Sequence, residues 1–263
     1  MCEPFALPRT GRWSVEADGR AYRAYLAWPD APPPPGGFPV LLVLDANAGF
    51  ATAVEAHRAH AWRTTLGAPA PSLILGLGHP GEAPYDTAAR ARDYAPARPG
   101  GADAFLDFVE ARLLPELERR HPVDRARLGV FGHSLGGLLV VHALLTRPGL
   151  FRRLVAASPS LWWGDGAVLR AARRFADAPP PEAARARLLV TAGGLEESGE
   201  GPRGALRAAR RMIGNARDLV ALLRGAGLAA EFAEFSGEDH GSVRTPALAR
   251  AVRFALPGME EPA

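Results

Sequence analysis

Sulfur is scarce in this chain: a single cysteine, Cys2, stands among 263 residues. One thiol excludes an internal disulfide and a thiolate metal cluster, and at a chain end it reads as incidental. Long apolar runs are missing too. Hydrophobic residues make up 48% of the chain, but they come in pieces of strand or helix length, so no membrane span is predicted. The opening MCEPFALPRTGR lacks the basic start followed by an apolar stretch that a secretory signal needs, which sets the expectation of a cytoplasmic protein. Lysine is absent as well, so the formal charge of +3 is carried by arginines, scattered rather than gathered in a run. With no motif of a nucleic-acid-binding fold beside it, this charge predicts no nucleic-acid partner, and points instead to local arginines that suit an acidic small molecule.

What is present alternates. Trp13 to Val15 and Tyr22 to Ala27 flank Asp18-Gly19, the signature of an antiparallel hairpin. The proline tract Pro32 to Pro35 follows as an extended surface connection. Phe38 to Leu44 is a nearly continuous apolar run, as a strand buried on both faces requires, and Pro71 to Leu77 repeats the pattern. Further strands are predicted at Leu128 to Phe131, Leu154 to Ala157, Leu188 to Ala192 and Ala230 to Phe235. Helices are predicted at Asp103 to Leu117, Leu135 to Leu145, Ala205 to Arg224 and Pro246 to Phe254. Strands alternating with helices predict an α/β protein, residues 1–263 as one domain, with a mostly parallel, doubly wound sheet and a hairpin at its start. Two stretches, 78–101 and 159–181, are long for plain connections. Both follow strand ends, where such sheets place their binding crevice, so they are the candidate walls or lid of a site.

Gly132-His133-Ser134-Leu135-Gly136 sits between a predicted strand and a predicted helix, the context of the nucleophile elbow of α/β-hydrolases. Small residues around the serine avoid backbone collisions at the sharp turn, and the N–H of Leu135 becomes an oxyanion donor. A serine hydroxyl needs a base, and of seven histidines His240 alone lies in a loop after the last predicted strand, where this fold supplies it. His133 abuts the nucleophile and is expected to line the site. The acid belongs between serine and histidine in chain order, after a strand; Glu196 is preferred and Glu197 is its rival, with Asp239 poorly placed beside the base. A second oxyanion donor is expected from the loop after Val40 to Leu44, at the backbone of Ala46 or Asn47, with Asp45 bracing that loop.

The chain resembles a bacterial esterase family that includes the siderophore esterases acting on enterobactin, salmochelin and bacillibactin. The resemblance rests on Val43-Leu44-Asp45-Ala46-Asn47, Arg90-Ala91-Arg92-Asp93-Tyr94, Gly100 to Phe105, Gly132 to Gly137, Ala157-Ser158-Pro159-Ser160-Leu161-Trp162-Trp163 and Glu238-Asp239-His240-Gly241-Ser242, in order from about Arg20 to Phe254. The family often has glycine in place of Ala46 and tyrosine in place of His79. The resemblance implies the α/β-hydrolase fold and a serine carboxylic-ester hydrolase working through an acyl-enzyme, without metal or organic cofactor. An iron-chelate ester would bring Arg90, Arg92 and Arg98 into play as partners of its negative charge, and Trp162 and Trp163 as stacking surfaces. Transacylation, and a binding protein on a decayed hydrolase fold, are the alternatives.

Overall fold

The computed structural model describes residues 2–3, 5–62, 69–96 and 101–256. Its frame is an eight-stranded sheet in the order β1-β2-β4-β3-β5-β6-β7-β8. The hairpin is formed by β1 (Thr10–Ala17) and β2 (Arg20–Ala27). Asp18 and Gly19 between them have φ of 50° and 70°, the doubly left-handed turn that matches strand twist and that an Asp-Gly pair accepts. β2 also pairs antiparallel with β4 (Leu73–Gly78). β3 (Phe38–Leu44), β4, β5 (Val123–His133), β6 (Arg153–Ala157), β7 (Arg187–Gly193) and β8 (Ala229–Phe235) are parallel throughout. The architecture is therefore the mostly parallel α/β-hydrolase sheet with an antiparallel start.

The helices are α1 (Ala46–Ala61), α2 (Thr87–Tyr94), α3 (Ala102–Phe108), α4 (Leu114–Glu118), α5 (Leu135–Thr146), α6 (Trp163–Asp177), α7 (Gly201–Arg210), α8 (Met212–Gly225) and α9 (Arg244–Ala255). β3 shows why the sheet needs them on both sides. Val40, Leu42 and Leu44 belong to a core shared with α3, α5 and α8, whereas Leu41 and Val43 belong to one shared with α1 and α9. This is the two-residue period of a strand covered on both faces. Among the described residues no helix is long and apolar enough to cross a membrane.

Three helical expectations need correction. The helix over Asp103 to Leu117 is not uniform: a π turn, Val109–Leu113, separates α3 from α4. Pro115 has no N–H to give to the carbonyl four residues back and its ring crowds that group, and the looser π turn takes up the mismatch. The helix over Ala205 to Arg224 is two helices, broken at Arg211, whose φ is 47°. The break is held by side chains: the Asn215 amide donates to the Arg210 carbonyl at 3.1 Å and accepts from the Arg211 guanidinium at 3.2 Å. The stretches 78–101 and 159–181 are not loops throughout. The first contains α2, started by Asp86, whose carboxylate accepts from the Ala89 N–H at 2.9 Å. The second contains α6, kinked where Gly164, Asp165 and Gly166 all have positive φ.

Candidate active site

Ser134 sits at the junction of β5 and α5 with φ 60° and ψ −115°. A side chain holds this backbone only when its surroundings over-determine it, and here they do. The Ser134 N–H donates to the Ala157 carbonyl at 2.9 Å, and its own carbonyl accepts from Leu138 at 3.0 Å and Ser160 at 3.1 Å. The glycines around it differ in what they do. A Cβ on Gly132 would overlap the Gly136 carbonyl, and one on Gly137 would lie 2.9 Å from the Ala157 carbonyl, so both positions need the hydrogen atom. A Cβ on Gly136 would meet nothing nearer than 3.5 Å. The expectation that the glycines on both sides of the serine prevent collisions therefore holds for Gly132 and not for Gly136. Gly132→Ala is expected to cost about 3 kcal/mol of stability, as overpacking against fixed backbone does. Gly136→Ala should be neutral within about 1 kcal/mol. Urea denaturation of the two variants checks the contrast; equal effects would mean that the elbow is less tightly packed than its contacts imply.

From this turn the Ser134 hydroxyl donates to His240 Nε2 at 3.0 Å. His240 follows β8 in a loop shaped by Asp239, whose carboxylate accepts from the N–H groups of Gly241 at 2.8 Å and Ser242 at 2.9 Å. With Nε2 accepting, the proton rests on Nδ1, which donates to Glu196 Oε2 at 2.8 Å. Glu196 follows β7 and is 3% exposed. Its other oxygen accepts from the Gly193 N–H at 2.7 Å and from the Ser158 hydroxyl. Glu197 points elsewhere: its carboxylate accepts from the Gly214 N–H at 2.7 Å, in the first turn of α8. Of the two glutamates that chain order leaves open, Glu196 is the one whose carboxylate meets the ring. His133 is buried, and its Nε2 donates to the His240 carbonyl at 2.9 Å. Burial, and after it the neighbouring His240, push its pKa down to about 3, so it stays neutral beside the base at ordinary pH.

Leu135 opens α5 immediately after the serine. The segment expected as a loop after β3 is instead the first turn of α1, entered through Asp45 at φ 54°. N–H groups in a helix's first turn lack intrahelical acceptors, so Ala46 and Asn47 keep the backbone chemistry expected of them in a more rigid setting. The Asn47 side chain fixes the neighbouring loop, donating to the carbonyls of His79 and Ala83 at 3.1 and 3.0 Å and accepting from the Tyr25 hydroxyl at 3.0 Å. A cavity of about 300 Å³ opens over Ser134, bounded by Ser160, Trp162, Leu195, Arg207, Arg210 and Met212.

The model of the Esterase family matches residues 16–254. The chain belongs to this family. It is 37% identical to the ferri-bacillibactin esterase BesA of Bacillus subtilis over 96% of this chain and 91% of that one. It is 34% identical to the siderophore triacetylfusarinine C esterase of Aspergillus fumigatus over 95% and 94% of the two chains. Its fold superposes on the siderophore hydrolase EstB from Aspergillus nidulans with a TM-score of 0.87, at 29% identity and covering 100% of each chain. The chain is accordingly an enzyme, a serine esterase acting on a small-molecule ester.

Several expected substrate contacts of this esterase are corrected by its side-chain packing. Arg90 does not offer a free charge: its Nε and one Nη donate to Asp45 at 2.8 and 3.0 Å, with a longer bond to the His133 carbonyl at 3.4 Å. A buried guanidinium requires such a partner, and Asp45 braces the turn in return. Arg92, whose side chain is more exposed, pairs with the adjacent Asp93 at 2.8 and 2.9 Å. His79 donates to the same Asp93 at 2.9 Å. Arg98 lies outside the described residues. His133 supports the backbone of the His240 loop rather than forming cavity wall. Trp163 packs on the main core, while Trp162 does face the cavity. The segment 78–101 contributes none of the described cavity residues. Its place is taken by α7 and the start of α8, within the stretch expected to be one helix over Ala205 to Arg224. Ser158 and Ser160 also went unassigned, although the run Ala157-Ser158-Pro159-Ser160 directly after a strand was a visible signal. Ser160 Oγ lies 3.2 Å from Ser134 Oγ.

Proposed function

We propose that Ser134 is the nucleophile, His240 the general base and Glu196 the group that orients and stabilises it, and that the ester they cleave is a ferric siderophore. The relay from Ser134 through His240 to Glu196, with two successive bonds of 3.0 and 2.8 Å, carries this reading. His240 takes the serine proton as the oxygen attacks the ester carbonyl, and the imidazolium that forms is held by the Glu196 carboxylate. Backbone N–H groups of Leu135 and of the Ala46 to Asn47 turn receive the oxyanion, each contributing about 3 kcal/mol. His240 then protonates the departing alcohol and activates water to release the acyl group, so every proton passes through one ring. The iron in this reading belongs to the substrate.

The substrate assignment draws on the relatives, whose names specify esters of ferri-bacillibactin and triacetylfusarinine C. It also draws on the cavity, which pairs the Trp162 ring with the cations of Arg207 and Arg210, suiting an anionic and aromatic ligand. The test compares an iron-loaded tri-catecholate lactone with p-nitrophenyl butyrate. The expected result is cleavage of both, with kcat/KM for the chelate at least about 100-fold higher. An intact chelate beside a cleaved butyrate would leave the esterase chemistry standing and remove the siderophore.

A further inference from the structure

Arg210 is the last residue of α7 before the chain breaks at Arg211. Its guanidinium carbon lies 4.5 Å from the centre of the Trp162 ring, and both residues border the cavity over Ser134. Its Nε is buried and has no hydrogen-bond partner. Arg244 also has a buried nitrogen without a partner, its Nη2, but it does not border the cavity, so among the cavity's described arginines Arg210 is the unpaired one. Arg90 is bound to Asp45, Arg92 to Asp93, and Arg207 donates to the Ser198 carbonyl at 3.2 Å.

A guanidinium has only donors, arranged in a planar fork that fits two oxygens at once. A buried donor without an acceptor is a defect in a resting protein, and it is one of the few arrangements that an incoming anion repairs. Stacking on Trp162 fixes the plane of the fork, so its edge is presented in one orientation and the ring beside it is available to an aryl group. Arg207 lies one helical turn earlier, and its like charge adds to the preference for a negative ligand.

We propose that Arg210, laid on Trp162, is the specificity-determining residue of this site, selecting ester substrates that carry negative charge beside an aromatic ring. The inference rests on the esterase reading and assigns its charge selectivity to one side chain on α7, away from the arginines of α2.

The experiment uses two p-nitrophenyl esters that share a leaving group and an aryl shape and differ in one charge, the 4-carboxybenzoate and the 4-methylbenzoate. The reading is the ratio of their kcat/KM values in the whole protein. Wild type is expected to favour the anion by about tenfold or more, in KM rather than kcat. Arg210→Met, which keeps the apolar stem on the tryptophan, brings the ratio close to one, and Arg210→Lys restores part of it. Trp162→Phe, which keeps a ring face, retains most of the preference. A ratio that survives in Arg210→Met while both activities fall together would show a packing role only and overturn the proposal. A wild type that hydrolyses both esters equally would overturn it while leaving the esterase reading intact. A wild type that hydrolyses neither would count against both.

Discussion

Ser134→Ala is expected to reduce kcat by roughly 10⁶-fold, to the residual rate that oxyanion donors and substrate binding sustain alone. The loss is this large because the serine is not one contributor among several: without its oxygen His240 has no proton to take and no acyl-enzyme forms. Stability should change little, since the elbow is held by backbone bonds from Ala157, Leu138 and Ser160 that an alanine preserves. Mass spectrometry after treatment with a fluorophosphonate checks the assignment at the atom. Wild type should carry the adduct on Ser134 and the variant none. Ser160 is the informative rival, with its hydroxyl 3.2 Å away but no bond to the histidine. An adduct on Ser160 in the wild type would move the nucleophile.

The second large effect separates two neighbouring carboxylates. In Glu196→Gln the side chain still fits, and its oxygen can still accept from Gly193 and Ser158. What then faces His240 Nδ1 is an NH2 group, a donor opposed to a donor. The ring escapes by placing its proton on Nε2, toward Ser134, where a base is needed, so kcat should fall by roughly 10⁴-fold with the fold intact. Glu197→Gln changes only the group that accepts from Gly214 at the start of α8. It should leave kcat within about twofold and lower stability by about 0.5 kcal/mol, since the amide oxygen can still accept and only the negative charge at the helix N-terminus is lost. Turnover and melting temperature for both variants decide the matter; a reversed pattern would exchange the roles of the two glutamates.

The frame of this molecule was legible because local pattern and global fold agree. Phe38 to Leu44 reads as a doubly buried strand and is one, residue for residue. Gly132 to Gly136 reads as an elbow because strand period and helix period meet there. His240 stands out by elimination, since no other histidine follows the last strand. The failures share a physical cause. Glu196 and Glu197 occupy one turn with the same chemistry, and only tertiary contacts tell them apart. Arg90 looks like a free cation in one dimension because its partner, Asp45, is brought to it by the fold, whereas Arg92 stands beside its partner Asp93 in the chain and that pair was readable. The wall of the cavity was missed because the break at Arg211 depends on Asn215 reaching back to the Arg210 carbonyl, against a strong helical propensity on both sides. Pro115, by contrast, was a readable warning that the helix around it would not be regular.

The break between α7 and α8 also divides labour within the chain. The serine, the histidine and the carboxylate hang from the ends of β5, β8 and β7, whose neighbours in the sheet hold them in register. Trp162, Arg207, Arg210 and Met212 come from segments outside that sheet. Substrate choice is therefore editable apart from reactivity. A library confined to residues 201–212 would vary what enters the cavity over a reaction centre that stays in place, and it is the segment through which this scaffold would be retargeted to other esters.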